Sequence, residues 1–131
     1  KYKDINNEVS EKNLKSKNFV PTSNEKYLID SDIFIITVPT PVYKNNKPDL
    51  RHLIKATISV SKYLKKKSII VYESTVFPGV TEEICGKLIS KLNKYEINKD
   101  FFLGYSPERI NPGDKKHSLS NIIKIISASN A

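Results

Sequence analysis

This sequence has little of what usually narrows a function. In 131 residues it has four glycines, one cysteine, two arginines, no methionine and no tryptophan. Four glycines leave no G-x-G-x-x-G stretch, so the chain carries no Gly-rich dinucleotide loop of its own. A single cysteine, Cys85, excludes an intrachain disulfide and fits a reducing, cytoplasmic setting. No apolar run reaches the roughly 20 residues that span a bilayer. The segment Lys1-Tyr2-Lys3-Asp4-Ile5-Asn6-Asn7 has no apolar core of the kind a signal peptide needs. His52 and His117 have no partners at ligand spacing, so no metal site is expected.

The charge is one-sided but diffuse. Net charge is +8, yet 20 of the 22 basic residues are lysine, and only Arg51 and Arg109 are arginine. Nucleic-acid binders focus charge in a patch interleaved with arginine or aromatics. Here the lysines are scattered, which reads as a solvated surface with no nucleic-acid partner. The one dense cluster, Lys65-Lys66-Lys67, falls at the end of a predicted helix, where cations favour the dipole. Apolar content of 38% and a mean hydropathy of −0.42 suit one soluble domain with one core.

Along the chain, residues 1–27 are poorly defined. They hold a thin apolar stripe (Ile5, Val9, Leu14), a possible short strand at Phe19-Val20-Pro21-Thr22 and a short helix or turn from Asn24 to Leu28. The signal then sharpens. Ile33 to Val38 is a continuous β-branched and aromatic run without alternation, which predicts a strand covered on both faces. Asn45-Asn46-Lys47-Pro48 is turn chemistry, and Asp49 stands where a helix N-cap belongs. Leu50, Leu53, Ile54, Thr57, Ser61 and Leu64 predict a helix over about 50–66. Ser68 to Tyr72 predicts a second buried strand. After Pro78-Gly79, Ile84, Leu88 and Leu92 predict a helix to about residue 94, with Cys85 as a small, partly buried core residue rather than a nucleophile. Phe101 to Gly104 predicts a third strand, and Ile122 to Ile126 a fourth. Strand, helix, strand, helix, strand is the pattern of parallel βαβ units, an α/β fold.

In an open parallel sheet, ligands bind outside the carboxyl ends of the strands. Three such ends carry conspicuous polar segments: Thr37-Val38-Pro39-Thr40-Pro41, Glu73-Ser74-Thr75-Val76-Phe77-Pro78 and Ser106-Pro107-Glu108-Arg109. Prolines on both sides of Thr40 fix its hydroxyl in place. Thr75 can donate and accept at once, and so orient a water or a cofactor amide. Glu108 can act as a general base, and Arg109 can grip a phosphate or carboxylate with two bonds. Taken singly, each residue also fits a bland role: a rigid strand exit, a turn bond or a solvated ion pair. Three together on one edge favour a site.

Asp32-Ile-Phe-Ile-Ile-Thr-Val-Pro-Thr-Pro41, Tyr72-Glu-Ser-Thr-Val-Phe-Pro-Gly79 and Gly104-Tyr-Ser-Pro-Glu-Arg-Ile-Asn-Pro-Gly-Asp114 resemble the motifs of the UDP-sugar dehydrogenases. The similarity runs from about Leu28 to Ala131 and is stronger towards the branch acting on UDP-N-acetylhexosamines for surface polysaccharide synthesis. The resemblance implies a Rossmann-like domain and an enzyme that oxidises the C6 alcohol of a nucleotide sugar to a carboxylate with two NAD and an enzyme thiol. It also implies residue roles. Thr40 and Thr75 would contact NAD, with Thr75 also near the reactive water. Glu108 would position or activate that water and border the substrate. Arg109, Ile110 and Asn111 would line the sugar-nucleotide site. Where UDP-glucose enzymes carry a second glutamate, this sequence has Pro112, so no role transfers there.

Family members carry the Gly-rich loop before the first of these motifs and a catalytic cysteine after the last; Cys85 lies in neither setting. The expectation is therefore the second half of an NAD-binding domain, residues 1–131, inactive alone, prone to self-association through unpaired strand edges, and oligomeric when intact. A β-hydroxyacid-type dehydrogenase and a non-catalytic binding module are the alternatives.

Overall fold

The computed structural model describes residues 9–108 and 123–130. Its frame is a four-stranded sheet in the order β1-β2-β3-β4, formed by Ile33–Ile36, Ser68–Tyr72, Phe101–Tyr105 and Ser127–Ala128. The first three strands are parallel, in the register Ile36↔Tyr72 and Tyr72↔Tyr105. The predicted parallel α/β fold is what the chain adopts. β4 instead pairs antiparallel with the outer edge of β3.

The crossover from β1 to β2 contains helix α2 (Arg51–Ser61). The crossover from β2 to β3 contains a π-helical segment (Val80–Gly86) that runs directly into helix α3 (Lys87–Asn93). Strands laid down in sequential order with crossovers of one hand place both helices on one side of the sheet. Burial follows. Phe34, Ile36, Ile70, Tyr72, Phe101 and Leu103 point to the helical side and pack with Leu53, Val60, Cys85 and Ile89. The intervening residues Ile33, Ile35 and Ile69 are exposed. The expectation of cover on both faces is thus corrected. The described residues cover one face, and β1 shows strict alternation of exposed and buried positions.

One polar cluster inside this core is paired. The Thr57 hydroxyl donates to the Leu53 carbonyl and lies 2.9 Å from the Tyr72 hydroxyl. Burial pushes the Tyr72 phenol and the Cys85 thiol up, so both stay neutral near pH 7, and Cys85 is a core residue as expected.

Several elements differ from the sequence reading. The predicted 50–66 helix is shorter: it ends at Ser61, and Lys67 beyond it takes a left-handed φ of 73°. Asp49 caps from just outside: its Oδ1 accepts from the Arg51 N–H at 3.0 Å, while Leu50 occupies the cap position. The predicted stripe Ile84, Leu88 and Leu92 is displaced. The wider π-helical turns rotate the phase, so Thr81, Cys85 and Ile89 are buried and Leu92 is exposed. Gly86 makes this possible: a Cβ there would lie 2.7 Å from Leu103 Cδ1 and 2.9 Å from Ile97 Cδ1.

No strand forms over 19–22. Residues 24–28 give a single 3₁₀ turn (Glu25–Leu28), and Glu11–Leu14 form a one-turn helix, α1. The predicted strand from Ile122 to Ile126 is absent over 123–126, which are exposed; only Ser127–Ala128 pair. Ile122 lies outside the described residues. The Lys65–Lys67 cluster is engaged within the fold: Lys65 pairs with Asp32 at 2.9 Å, Lys66 with Asp100 at 3.3 Å, and Lys67 donates to the Lys99 carbonyl. No helix among the described residues is long and apolar enough to cross a membrane.

Candidate functional site

Parallel pairing brings the three polar exits to one edge. The ladder runs one step beyond the strands: the Glu73 N–H donates to the Ile36 carbonyl at 2.8 Å, and the Ser106 N–H to the Tyr72 carbonyl at 3.0 Å. The segments after β1, β2 and β3 therefore leave the sheet side by side, about 5 Å apart from neighbour to neighbour. The Ser74 hydroxyl donates to the Val38 carbonyl at 2.7 Å and ties the first exit to the second. Glu73 is held by Lys124 at 3.0 Å, which brings the segment before β4 to the same edge.

Thr40 is half-buried, and its Oγ1 is covered yet has no hydrogen-bond partner in the protein. Thr75 is exposed at the end of β2, and Glu108 is exposed two residues beyond the buried Ser106. Arg109, Ile110 and Asn111 lie outside the described residues. The edge thus gathers Thr40, Thr75 and Glu108.

Two features escaped the sequence. One is the state of Ser106, fully buried with an unpartnered hydroxyl; the sequence placed it in the third polar exit but gave it no role. The other is a clasp after Thr40. The chain from Val42 to Pro48 folds into a small hairpin, closed by the Tyr43 N–H to the Lys47 carbonyl at 2.8 Å and by a left-handed Asn46. The Asp49 N–H returns to the Pro41 carbonyl at 2.7 Å, which locks the base of this hairpin beside Thr40. The Asp49 carboxylate receives Arg51 Nε and Nη2, the latter at 2.6 Å. Those bonds hold its pKa well below the usual carboxylate range. A cleft of about 640 Å³ lies along the outer side of α2, lined by Tyr43, Asp49, Arg51, Ile54, Ile58 and Lys62 among others. It includes none of Thr40, Thr75 and Glu108.

The sequence matches the model of the UDP-glucose/GDP-mannose dehydrogenase family, NAD binding domain, over residues 2–130. The chain belongs to this family. It is 52% identical over 124 residues to Protein CapL of Staphylococcus aureus, covering 95% of this chain and 29% of that protein. It is 47% identical over 129 residues to the UDP-N-acetyl-D-glucosamine 6-dehydrogenase of Salmonella typhi, covering 98% of this chain and 30% of that protein. Among solved structures, the NDP-N-acetyl-D-galactosaminuronic acid dehydrogenase of Methanosarcina mazei Go1 superposes with a TM-score of 0.81 at 27% identity, over 91% of this chain and 26% of that one. The chain therefore spans less than a third of the length of these relatives.

The cofactor of this family is NAD, and the edge can be tested for it. A dinucleotide lies across two mononucleotide halves of such a sheet, with its pyrophosphate on a Gly-rich turn of the first half. This sequence has no such turn. Its covered, unpartnered Thr40 hydroxyl and its exposed Thr75 hydroxyl fit the polar contacts of one half. The residues present fit part of the cofactor.

Proposed function

We propose that residues 1–131 form part of the NAD-binding domain of a nucleotide-sugar 6-dehydrogenase, which oxidises the C6 alcohol of a UDP-N-acetylhexosamine to the uronate. The observation that carries the reading is the alignment of Thr40, Thr75 and Glu108 on one carboxyl edge, with the Thr40 hydroxyl unpartnered in the protein. Bound NAD supplies the hydride acceptor. In this reading Thr40 and Thr75 orient it by hydrogen bonds. Glu108 takes a proton from the water that releases the product, which an exposed carboxylate at the mouth of the edge can do. Arg109, Ile110 and Asn111 border the sugar nucleotide.

The 131 residues alone hold neither a Gly-rich loop nor a cysteine at this edge, since Cys85 is buried in the core. The reading therefore assigns no turnover to them. It places the whole enzyme in the cytoplasm, as a homo-oligomer. The test is NADH formation with UDP-N-acetylhexosamines. The full-length protein that carries this sequence is expected to reduce NAD, whereas the 131-residue chain is expected not to. NADH from the short chain, or none from the full-length protein with any such sugar, overturns the proposal.

A further inference from the structure

Six buried hydroxyls among the described residues fall into two groups. Inside the core, Thr57 donates to Leu53, Ser61 donates to Ile58, and Ser68 accepts from the Lys65 N–H at 3.1 Å. Ser74 donates to Val38. The fold thus satisfies these four. Thr40 and Ser106 are different: each Oγ is covered and has no partner in the protein. Both lie at the carboxyl edge, Thr40 beyond β1 and Ser106 at the first position beyond β3. Leaving a buried hydroxyl unpaired forfeits a hydrogen bond that water supplies in the unfolded chain. Such groups in a native protein call for an explanation, and a site is one.

Ser106 is also firmly placed. Its N–H is bonded to the Tyr72 carbonyl, and Pro107 follows, so its backbone is fixed from both sides. Two residues on stands Glu108.

We infer that Ser106 is a further substrate-contact residue, whose hydroxyl makes a hydrogen bond to a polar group of the sugar nucleotide beside Glu108. This rests on the function proposed above. Because the hydroxyl is covered, the groups over it have to move as the substrate enters. The fold carries the unpaired hydroxyl at a cost, and the complex regains it, the usual exchange between stability and function at a site.

Two measurements decide the matter. The first is thermal unfolding of the 131-residue chain. Ser106→Ala removes a hydroxyl the fold does not use, so the melting temperature is expected to stay level or rise. A clear fall means the hydroxyl is structural and overturns the inference. The second is steady-state kinetics of the full-length protein. Loss of one neutral hydrogen bond weakens binding about 2- to 10-fold, so KM for the nucleotide sugar is expected to rise by that factor in Ser106→Ala, with KM for NAD unchanged. Ser106→Cys, which keeps the shape of the side chain with a slightly larger atom but donates weakly, is expected to behave like the alanine variant. Unchanged KM for the sugar in both variants overturns the inference while leaving the proposed function standing. If the wild-type protein reduces no NAD with any UDP-N-acetylhexosamine, the functional reading fails instead, and the unfolding measurement still decides whether the fold uses the Ser106 hydroxyl.

Discussion

The two faces of the sheet are made from the same kind of residue and end in opposite situations. On the helical face, Phe34, Ile70, Phe101 and Leu103 are at most 4% exposed. On the other face, Ile33 is 58% exposed, Ile35 59% and Ile69 39%. Isoleucine at Ile35 and at Ile70 has the same transfer free energy, but only one of them is removed from water. The run Ile33 to Val38 has the unbroken apolar character of a strand buried on both sides. Among the described residues, cover comes from one side only. The lesson is that the pattern of a strand reports the environment it was selected in, and the chain at hand need not supply all of it.

The largest expected effect separates the faces by stability. Leu103→Ala removes a side chain from the packed face next to Gly86 and Phe101 and should cost about 2–5 kcal/mol in urea unfolding, with a cavity left behind. Ile35→Ala on the bare face should cost under about 1 kcal/mol, since its side chain already faces water. Equal losses at the two positions would mean that both faces are covered in solution.

Association comes next. The edge of β1 away from β2 has no partner strand among the described residues, and the apolar face adjoins it. Free edges and apolar patches of this kind recruit other chains. Ile35→Lys places a charge on both features without touching the packed core. Light scattering should show the wild-type chain associating as concentration rises and the variant shifted towards monomer, with the melting temperature of the monomer little changed. A wild-type chain that stays monodisperse and monomeric refutes this use of the face.

The helical face also shows what could be read in the sequence. Ser68–Tyr72 was legible to the residue, because a short β-branched run between Lys67 and Glu73 has few alternatives. The three polar exits were legible as motifs, and parallel topology alone brought them together. The segment from Val80 was not. Periodicity assumes 3.6 residues per turn, and a π-helical start shifts burial from Ile84, Leu88 and Leu92 to Thr81, Cys85 and Ile89. The run before Ser127 misled for another reason: Ile123, Ile125 and Ile126 carry strand propensity but lie exposed, with no strand beside them. At the edge, Thr40 was visible from its flanking prolines, whereas Ser106 was not, since satisfaction of a hydroxyl is a property of neighbours distant in sequence.

The smallest expected effect sets a carboxylate locked in place near α2 against one on the bare side. Asp49 is 4% exposed and clasped by Arg51, whose bonds lower its pKa in the folded chain. A depressed folded pKa means that the native state binds fewer protons than the unfolded one in acid. The stability this contributes is complete above the unfolded value of about 4 and drains away as pH falls below it towards the folded value. Asp49→Asn removes that linkage, so the acid limb of stability against pH should flatten below about pH 4 while the neutral plateau drops. Asp32, 84% exposed in its pair with Lys65 at 2.9 Å, is the control for the plateau: an exposed pair contributes about 0–1 kcal/mol, so Asp32→Asn should lower stability at neutral pH little. Parallel acid limbs for Asp49→Asn and the wild type would show that the Arg51 clasp is open in solution.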